Sequence, residues 1–248
     1  VDLLGGETHA RSYAVLRPGG TIACLNAAPF TDRSAETGIR VALAEVAPDP
    51  ARLAAAFGAD AIGLIFCESP RRVDVDTARR IVRALPPFVT PVGVFVDAPL
   101  DDVLAVAAEV GLGAVQLHGS ETPDYVEAVA QRVPVIKAFR VRDAGVLDQC
   151  RAYPAASAFL FDAYVEGRMG GTGHAFDWSL LCREEETLGP LPKPWILAGG
   201  LRPENVEEAV ARCRPYGVDV SSGVEKEPGI KDPEKLRQFI LKARRVVA

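Results

Sequence analysis

From about Ile39 onward, the chain alternates short apolar runs with longer segments of helical period. The short runs are nearly continuous in Val, Ile, Phe and Ala, which is typical of parallel strands covered by helices. Eight such runs occur, and they read IRVALAE, ADAIGLIF, PVGVFV, GAVQL, PVIKAF, AFLFD, WILAG and GVDV. Most of the intervening segments have an Asp, Thr or Pro near their start and carry apolar residues at three-to-four spacing, which predicts helices. This α/β alternation favours a closed (β/α)8 TIM barrel over an open doubly wound sheet.

Residues 1–38 lie outside this repeat and form a separate α/β segment. Their pattern predicts a helix over roughly Glu7 to Leu16, a PGG turn and a strand TIACLN. The sequence therefore predicts two parts, a short N-terminal extension over residues 1–38 and a barrel over residues 39–248.

Composition narrows the class of protein. Hydrophobic residues make up 48% of the 248 residues and charged residues 25%, with a net charge of -5, so a basic nucleic-acid-binding surface is not indicated. No apolar run approaches the roughly 18 to 20 residues that span a bilayer, and the N-terminus lacks the pattern of a signal peptide, so we expect a cytoplasmic protein. The five cysteines show no C-x-x-C pairing, and neither a disulfide framework nor a zinc site is indicated.

Candidate binding residues cluster where the last two predicted strands end. Gly199 and Gly200 follow the seventh strand, and Ser221, Ser222 and Gly223 follow the eighth. Barrel enzymes often hold a phosphate there on backbone N–H groups. A single Gly-Gly is more often a tight turn, but paired loops on adjacent strands favour a phosphate site.

Asp162 ends the sixth apolar run and is followed by the glycine-rich stretch EGRMGGTGHAFDW. An arbitrary Asp at a strand end more often bonds its own backbone in a turn. At the carboxyl end of a barrel strand, however, it lies where such barrels place their catalytic groups. The glycine loop continues through Gly171 and Gly173 to a short helical piece at Asp177 to Leu181.

Together these segments resemble phosphoribosylanthranilate isomerase from about Ala51 to the C-terminus. The matching stretches include GADAIGLIF, SPRRV, AVQLHG, FDAYVEGRMGGTGHAFDW, ILAGGLRPENV and DVSSGVE. The resemblance implies an Amadori rearrangement in tryptophan biosynthesis, on a small phosphorylated sugar-amine and without a metal or organic cofactor. This chemistry needs an acid for the ring oxygen and a base for the proton on C2'.

The resemblance also implies roles for individual residues. Asp162 matches the acid, and Arg71 matches the arginine that holds the anthranilate carboxylate or positions the substrate, whereas Arg72 is expected at the surface. His118 is a substrate contact or a packed histidine, and Asp219 is a ligand of a substrate hydroxyl or a buried polar residue. The remaining implied substrate-binding residues are Gln116, Gly171, Gly173, Gly199, Gly200, Ser221, Ser222 and Gly223.

The first predicted strand departs from the family, whose KICGIT motif carries the catalytic base on its cysteine. A gap-free count from Gly58 places the lysine of that motif at Val41 and the cysteine at Leu43; a one-residue shift moves the cysteine to Ala44. Neither Leu nor Ala accepts a proton, and Glu45 is the nearby candidate for a substitute base. Loss of one member of an acid–base pair typically lowers the rate by about 10²- to 10⁴-fold.

The N-terminal segment instead resembles the end of the cofactor domain of zinc-independent, medium-chain quinone oxidoreductases, through GGET, a helix and LRPGG. The chain lacks the G-x-G-x-x-G turn, so a nicotinamide-dependent reductase is disfavoured. We therefore predict a chimera with weakened or absent isomerase activity, as a monomer or homodimer. The alternative is a catalytically silent barrel that only binds a phosphorylated ligand.

Overall fold

The structure is a computed structural model that describes residues 40–45, 48–141, 145–163, 191 and 193–245. Eight parallel strands pair in chain order, and the eighth pairs with the first, so the sheet closes into a barrel as predicted. The strands are β1 (Arg40–Glu45), β2 (Ala61–Ile65), β3 (Thr90–Phe95), β4 (Ala114–Leu117), β5 (Val135–Val141), β6 (Ala158–Ala163), β7 (Trp195–Leu197) and β8 (Gly217–Val220).

Helices follow seven of these strands within the described residues. They are α1 (Pro48–Phe57), α2 (Val75–Ala84), α3 (Leu100–Val110), α4 (Pro123–Ala130), α5 (Val146–Cys150), α6 (Val206–Cys213) and α7 (Pro233–Arg245). Local sequence explains their ends: the Asp74 carboxylate accepts from the N–H of Thr77 to cap α2, and Gly111 ends α3 with φ at 76°. None of the helices in the described residues is long and apolar enough to cross a membrane.

Several sequence predictions fall outside the described residues. They are the N-terminal segment 1–38, the loop glycines Gly171 and Gly173, and the short helical piece at Asp177 to Leu181.

A short hairpin follows β8, which the strand count did not predict. A 3₁₀ turn over Ser222–Val224 leads into β9 (Glu225–Glu227), which pairs antiparallel with β10 (Ile230–Lys231). The hairpin brings Glu225 and Lys231 back toward the end of the barrel at which the parallel strands finish.

The two faces of the sheet pack into two separate cores. Phe159, Phe161 and Leu197 point outward into the main core beneath the helices. Leu160 and Ala198 point inward and pack with Ala138 in a small cluster inside the barrel. Because side chains alternate along a strand, this assignment fixes which residues at the strand ends face the interior.

The register of β1 corrects the alignment of the first strand. Leu43 pairs with Ile62, which is fully buried in the outer core, and Ala44 pairs with Gly63 on the opposite face. Glu45 pairs with Leu64, also fully buried under the helices. The gap-free count is therefore off by one residue: Ala44, and not Leu43, occupies an interior position, and the position of Glu45 is on the wrong face for a substitute base.

Candidate active site

Three polar residues face the barrel interior at the carboxyl ends of alternate strands. Leu160, Ile196 and Gly217 lie side by side on β6, β7 and β8, so the residues two positions later, including Asp162 and Asp219, share their inward face. Gln116 pairs with Ile136, which packs against the inner cluster. Such a layer built from alternate strands is the expected arrangement in an eight-stranded barrel.

His118, which directly follows β4, joins this layer. Its Nδ1 lies 3.2 Å from Nε2 of Gln116, and its Nε2 lies 3.4 Å from Oδ2 of Asp162. An amide N–H of Gln116 donating to Nδ1 leaves the ring proton on Nε2, directed at the carboxylate. The side chain of Asp162 contacts His118 within the site, so we do not interpret Asp162 as a residue that only opens a turn.

Asp219 is the most perturbed acid at this end of the barrel. Burial and then the negative charge of Asp162 raise the pKa of Asp219 to about 7, although His118, Lys231 and the backbone N–H of Val220 act in the opposite direction. Its side chain is only partly shielded from solvent. A carboxyl group that titrates near neutral pH in an interior cluster is typical of a functional site.

The loops after β7 and β8 are held in close contact. Gly199 and Gly200 have φ of 84° and 68°, in the left-handed region that favours glycine. A Cβ on Gly223 would collide with the carbonyl oxygen of Leu201, so only glycine permits this approach. Asn205 closes the first loop, because its Nδ2 donates to the carbonyl oxygen of Gly200 at 3.0 Å. These contacts hold the backbone of the two loops close together, and phosphate binding there stays a prediction.

Arg71 makes an ion pair that the sequence analysis missed. Its Nε and Nη2 donate to the two carboxylate oxygens of Glu225, both at 2.7 Å. Lys231 donates to the same carboxylate and to the carbonyl oxygen of Ser221, both at 3.0 Å. Burial alone raises the pKa of Glu225, but the hydrogen bonds and charges of Arg71 and Lys231 outweigh it and hold the pKa below its ordinary value. The network ties the loop after β2 to the loop after β8.

Arg72 is the more available of the two neighbouring arginines. Its backbone bridges to Ile65 at the end of β2, and its side chain is exposed. Burial raises the pKa of the adjacent Cys67 thiol, and the charge of Arg72 partly opposes that shift. Within the described residues, the guanidinium of Arg72 makes no hydrogen bond or ion pair. The guanidinium of Arg71, in contrast, makes a bidentate contact with Glu225.

A second buried ion pair supports the loop that carries His118. Lys137 donates to Oε2 of Glu121 at 3.0 Å, and both side chains are almost fully buried. Glu121 also accepts hydrogen bonds from the N–H groups of Gly119 and Asp97. The pair fixes the turn immediately after His118 and therefore the direction of the imidazole.

The structure brings together Asp162, His118, Gln116 and Asp219, all of which were predicted from sequence. It does not add a group from β1, because Ala42 and Ala44 occupy the interior positions there and neither can transfer a proton. Glu225 and Lys231 were missed, although DVSSGVE contains the glutamate, since nothing in a one-dimensional pattern pairs it with an arginine 154 residues away.

The chain matches known proteins over most of its length. The family profile described as N-(5'phosphoribosyl)anthranilate (PRA) isomerase matches residues 45–242. An N-(5'-phosphoribosyl)anthranilate isomerase of Pseudomonas fluorescens is 50% identical over 199 residues, covering 79% of this chain and 91% of the relative.

Solved structures give the same result. Phosphoribosyl anthranilate isomerase from Thermotoga maritima superimposes with a TM-score of 0.76 at 38% identity, covering 83% of this chain and 98% of that one. A phosphoribosyl anthranilate isomerase in complex with reduced 1-(o-carboxyphenylamino)-1-deoxyribulose 5-phosphate gives a TM-score of 0.73 at 38% identity, with the same coverage.

Proposed function

We propose that this chain, which belongs to the N-(5'-phosphoribosyl)anthranilate isomerase family, catalyses the isomerisation for which that family is named. The observation that carries the proposal is the cluster of Asp162 and His118 at the mouth of the barrel, beside the loops after β7 and β8. The site thus combines a group that can move a proton with backbone suited to a phosphate.

The substrate fits this site from its phosphate end. We assign the phosphate to the backbone of the loops after β7 and β8, at Gly199, Gly200, Ser221, Ser222 and Gly223. Lys231 holds the carbonyl oxygen of Ser221 and brings a positive charge to the same loop. The sugar then extends across the interior layer, where Gln116 and His118 are in reach of its hydroxyl groups.

The anthranilate carboxylate is assigned to Arg72 instead of Arg71. A guanidinium that already makes a bidentate contact with Glu225 has its fork occupied, and turning it toward a substrate would leave a buried carboxylate unpaired. Arg72 is exposed at the end of β2, and no carboxylate of the described residues pairs with its guanidinium. Arg71 acts on the site by holding the loop.

Direct measurement of the isomerisation with purified protein tests the proposal, together with rescue of a tryptophan auxotroph that lacks this isomerase. Turnover that depends on Asp162 supports it. One observation favours a second candidate, a barrel that binds the phosphorylated ligand without turning it over: the interior positions at the carboxyl end of β1 are those of Ala42 and Ala44. Binding of the reduced, non-reacting analogue without any turnover would establish that alternative.

The remaining sequence predictions extend the proposal to the whole chain. We propose that residues 1–38 have a different origin, related to quinone oxidoreductases; the family match itself begins at residue 45. We propose that this segment takes no part in the reaction and that the protein is a cytoplasmic monomer or homodimer. Removal of residues 1–38 should leave turnover unchanged, and light scattering after gel filtration gives the oligomeric state.

A further inference from the structure

Lys137 occupies a position on β5 where the strand pattern predicts an apolar residue. Its Cα pairs with those of Leu117 on β4 and Phe159 on β6, both of which lie in the main core beneath the helices. The side chain of Lys137 is only 3% exposed, and that of its ion-pair partner Glu121 is 2% exposed. Because two charges must leave water, such a pair often stabilises a fold less than apolar side chains of similar volume would. Stability alone therefore does not explain the pair.

The ammonium group of Lys137 binds the backbone on both sides of His118. Its Nζ donates to the carbonyl oxygen of Leu117 at 3.2 Å and to that of Gly119 at 2.9 Å. A further bond, to the carbonyl oxygen of Ala138 at 3.2 Å, connects the same group to its own strand. One buried charge thus holds the residues before and after His118 against β5.

The carboxylate of Glu121 binds the same loop and connects it to the loop after β3. Its two oxygens accept from the N–H of Gly119 at 3.1 and 3.0 Å, and Oε1 also accepts from the N–H of Asp97 at 3.0 Å. A Cβ on Gly119 would collide with the carboxylate of Asp97, so the two loops are already in close contact. The hydroxyl of Tyr153 donates to the carbonyl oxygen of Glu121 at 3.0 Å. The backbone that follows His118 is therefore fixed from two sides.

The imidazole of His118 depends on this backbone for both of its contacts in the barrel interior. Its Nδ1 lies 3.2 Å from Nε2 of Gln116, and its Nε2 lies 3.4 Å from Oδ2 of Asp162. Hydrogen bonds weaken steeply beyond such distances, so a shift of about 1 Å would remove both contacts. In active sites a misplacement of that size can lower the rate by about 10²-fold.

We infer that Glu121 and Lys137 are positioning residues of the proposed reaction, and that they act through His118. The inference rests on the proposed function and deepens it, because it assigns the placement of an interior side chain to a pair that lies outside the barrel interior. The pair contacts no reacting atom and transfers no proton. Its role is to hold the imidazole beside Asp162.

Removal of both charges separates positioning from stability. The double variant Glu121→Gln/Lys137→Met keeps an acceptor for the loop N–H groups and an apolar stem in the core, so its melting temperature should stay within about 5 °C of wild type. Its kcat should fall by about 100-fold. The matched control is Arg244→Met, which breaks the ion pair with Asp60 at the opposite end of the barrel and should leave kcat unchanged.

A second comparison shows whether the effect depends on His118. In a His118→Asn background the double substitution should lower kcat by less than about twofold, because the group that the pair positions is already absent. An equal loss in both backgrounds, wild-type kcat in the double variant, or wild-type kcat in His118→Asn overturns the inference. Should the double variant not fold, Tyr153→Phe removes one bond to the same loop and should lower kcat by about threefold, again only when His118 is present; unchanged kcat overturns the inference.

Nitrogen NMR of labelled histidine tests the pair without turnover. At about pH 8.5, where an ordinary imidazole is neutral, donation from Gln116 to Nδ1 should give a single tautomer protonated at Nε2, in the signal that His118→Asn removes. The double variant should show both tautomers in exchange, and an unchanged tautomer overturns the inference. A wild-type protein that binds the reduced product analogue but never turns over the substrate refutes the proposed function instead, and the tautomer then decides whether the pair positions His118.

Discussion

The β1 side and the β6–β8 side of the barrel differ in what they contribute. β1 completes hydrogen-bonded pairing with both β2 and β8, yet its interior positions at Ala42 and Ala44 carry no functional group. The β6–β8 side supplies Asp162, Asp219 and the tight loop at Gly223. Closure of a barrel needs a backbone of the right register, whereas catalysis needs particular side chains, so one can persist without the other.

The largest effect is expected on the β6 side, for Asp162→Asn. An amide can neither accept nor donate the proton that the reaction moves, so kcat should fall by about 10³-fold or to the detection limit. The melting temperature should stay within a few degrees, since the amide preserves shape and can still bond His118. Steady-state kinetics and thermal unfolding measure the two effects. Turnover within threefold of wild type would show that Asp162 is not a proton-transferring group.

The second prediction concerns Glu225, whose carboxylate connects the loop after β2 with the loop after β8. Glu225→Gln removes the carboxylate that Arg71 and Lys231 share in a mostly buried site, which should lower the free energy of unfolding by about 3 kcal/mol. Urea unfolding measures the change. Glu227→Gln, exposed on the same β9, is the matched control and should change stability by less than about 0.5 kcal/mol.

The pH dependence of stability follows from the same carboxylate. The folded-state pKa of Glu225 is lowered, so its contribution is present above the unfolded value of about 4.3 and is lost as the pH falls through the folded value. Wild type should therefore lose more stability than Glu225→Gln on acidification below pH 5. Equal acid sensitivity of the two proteins would contradict the importance of this ion pair.

The repeating part of the fold was predictable because it depends on local pattern. β8 has the bounds of the GVDV run, and the predicted PVGVFV run differs from β3 by one residue at each end. A buried strand between two amphipathic helices leaves a clear signal in the order of its residues. The position of Asp162 at the end of an apolar run is likewise a local feature, but its catalytic role was taken from the family resemblance and stays a prediction.

The features that could not be predicted depend on distant contacts or on register. Arg71 was chosen because it matches the arginine of the resembling family, and its contact with Glu225 is a long-range feature that no local pattern could predict. The register of β1 was misjudged because the connection to Gly58 is one residue shorter than the gap-free count assumed. A register shift of one residue exchanges the two faces of a strand. The alignment error therefore placed Glu45 in the interior instead of on the helix side.

The third prediction returns a base to β1 and tests that register. Ala44→Cys places a thiol with a reference pKa of about 8.5 at an interior position, where it should raise kcat by about tenfold. Leu43→Cys is the matched control, and its position pairs with the outer-core residue Ile62. It should gain no turnover and should lose about 1 to 3 kcal/mol of stability through reduced packing. The reverse result would restore the gap-free alignment.

The smallest effect is expected at the phosphate loops, which need nothing from β1. Inorganic phosphate at ten times its dissociation constant should stabilise the folded state by about 1.4 kcal/mol and raise the melting temperature by about 4 °C. Gly223→Ala should abolish this rise, because its Cβ would collide with the carbonyl oxygen of Leu201 and push the two loops apart. Gly58→Ala is the control for strain at a glycine: with φ at 105° after α1, it should lower the melting temperature yet keep the full phosphate-induced rise. Differential scanning calorimetry with and without phosphate measures both shifts. A phosphate-induced rise that persists in Gly223→Ala would place the anion elsewhere and leave the loops after β7 and β8 with a purely structural role.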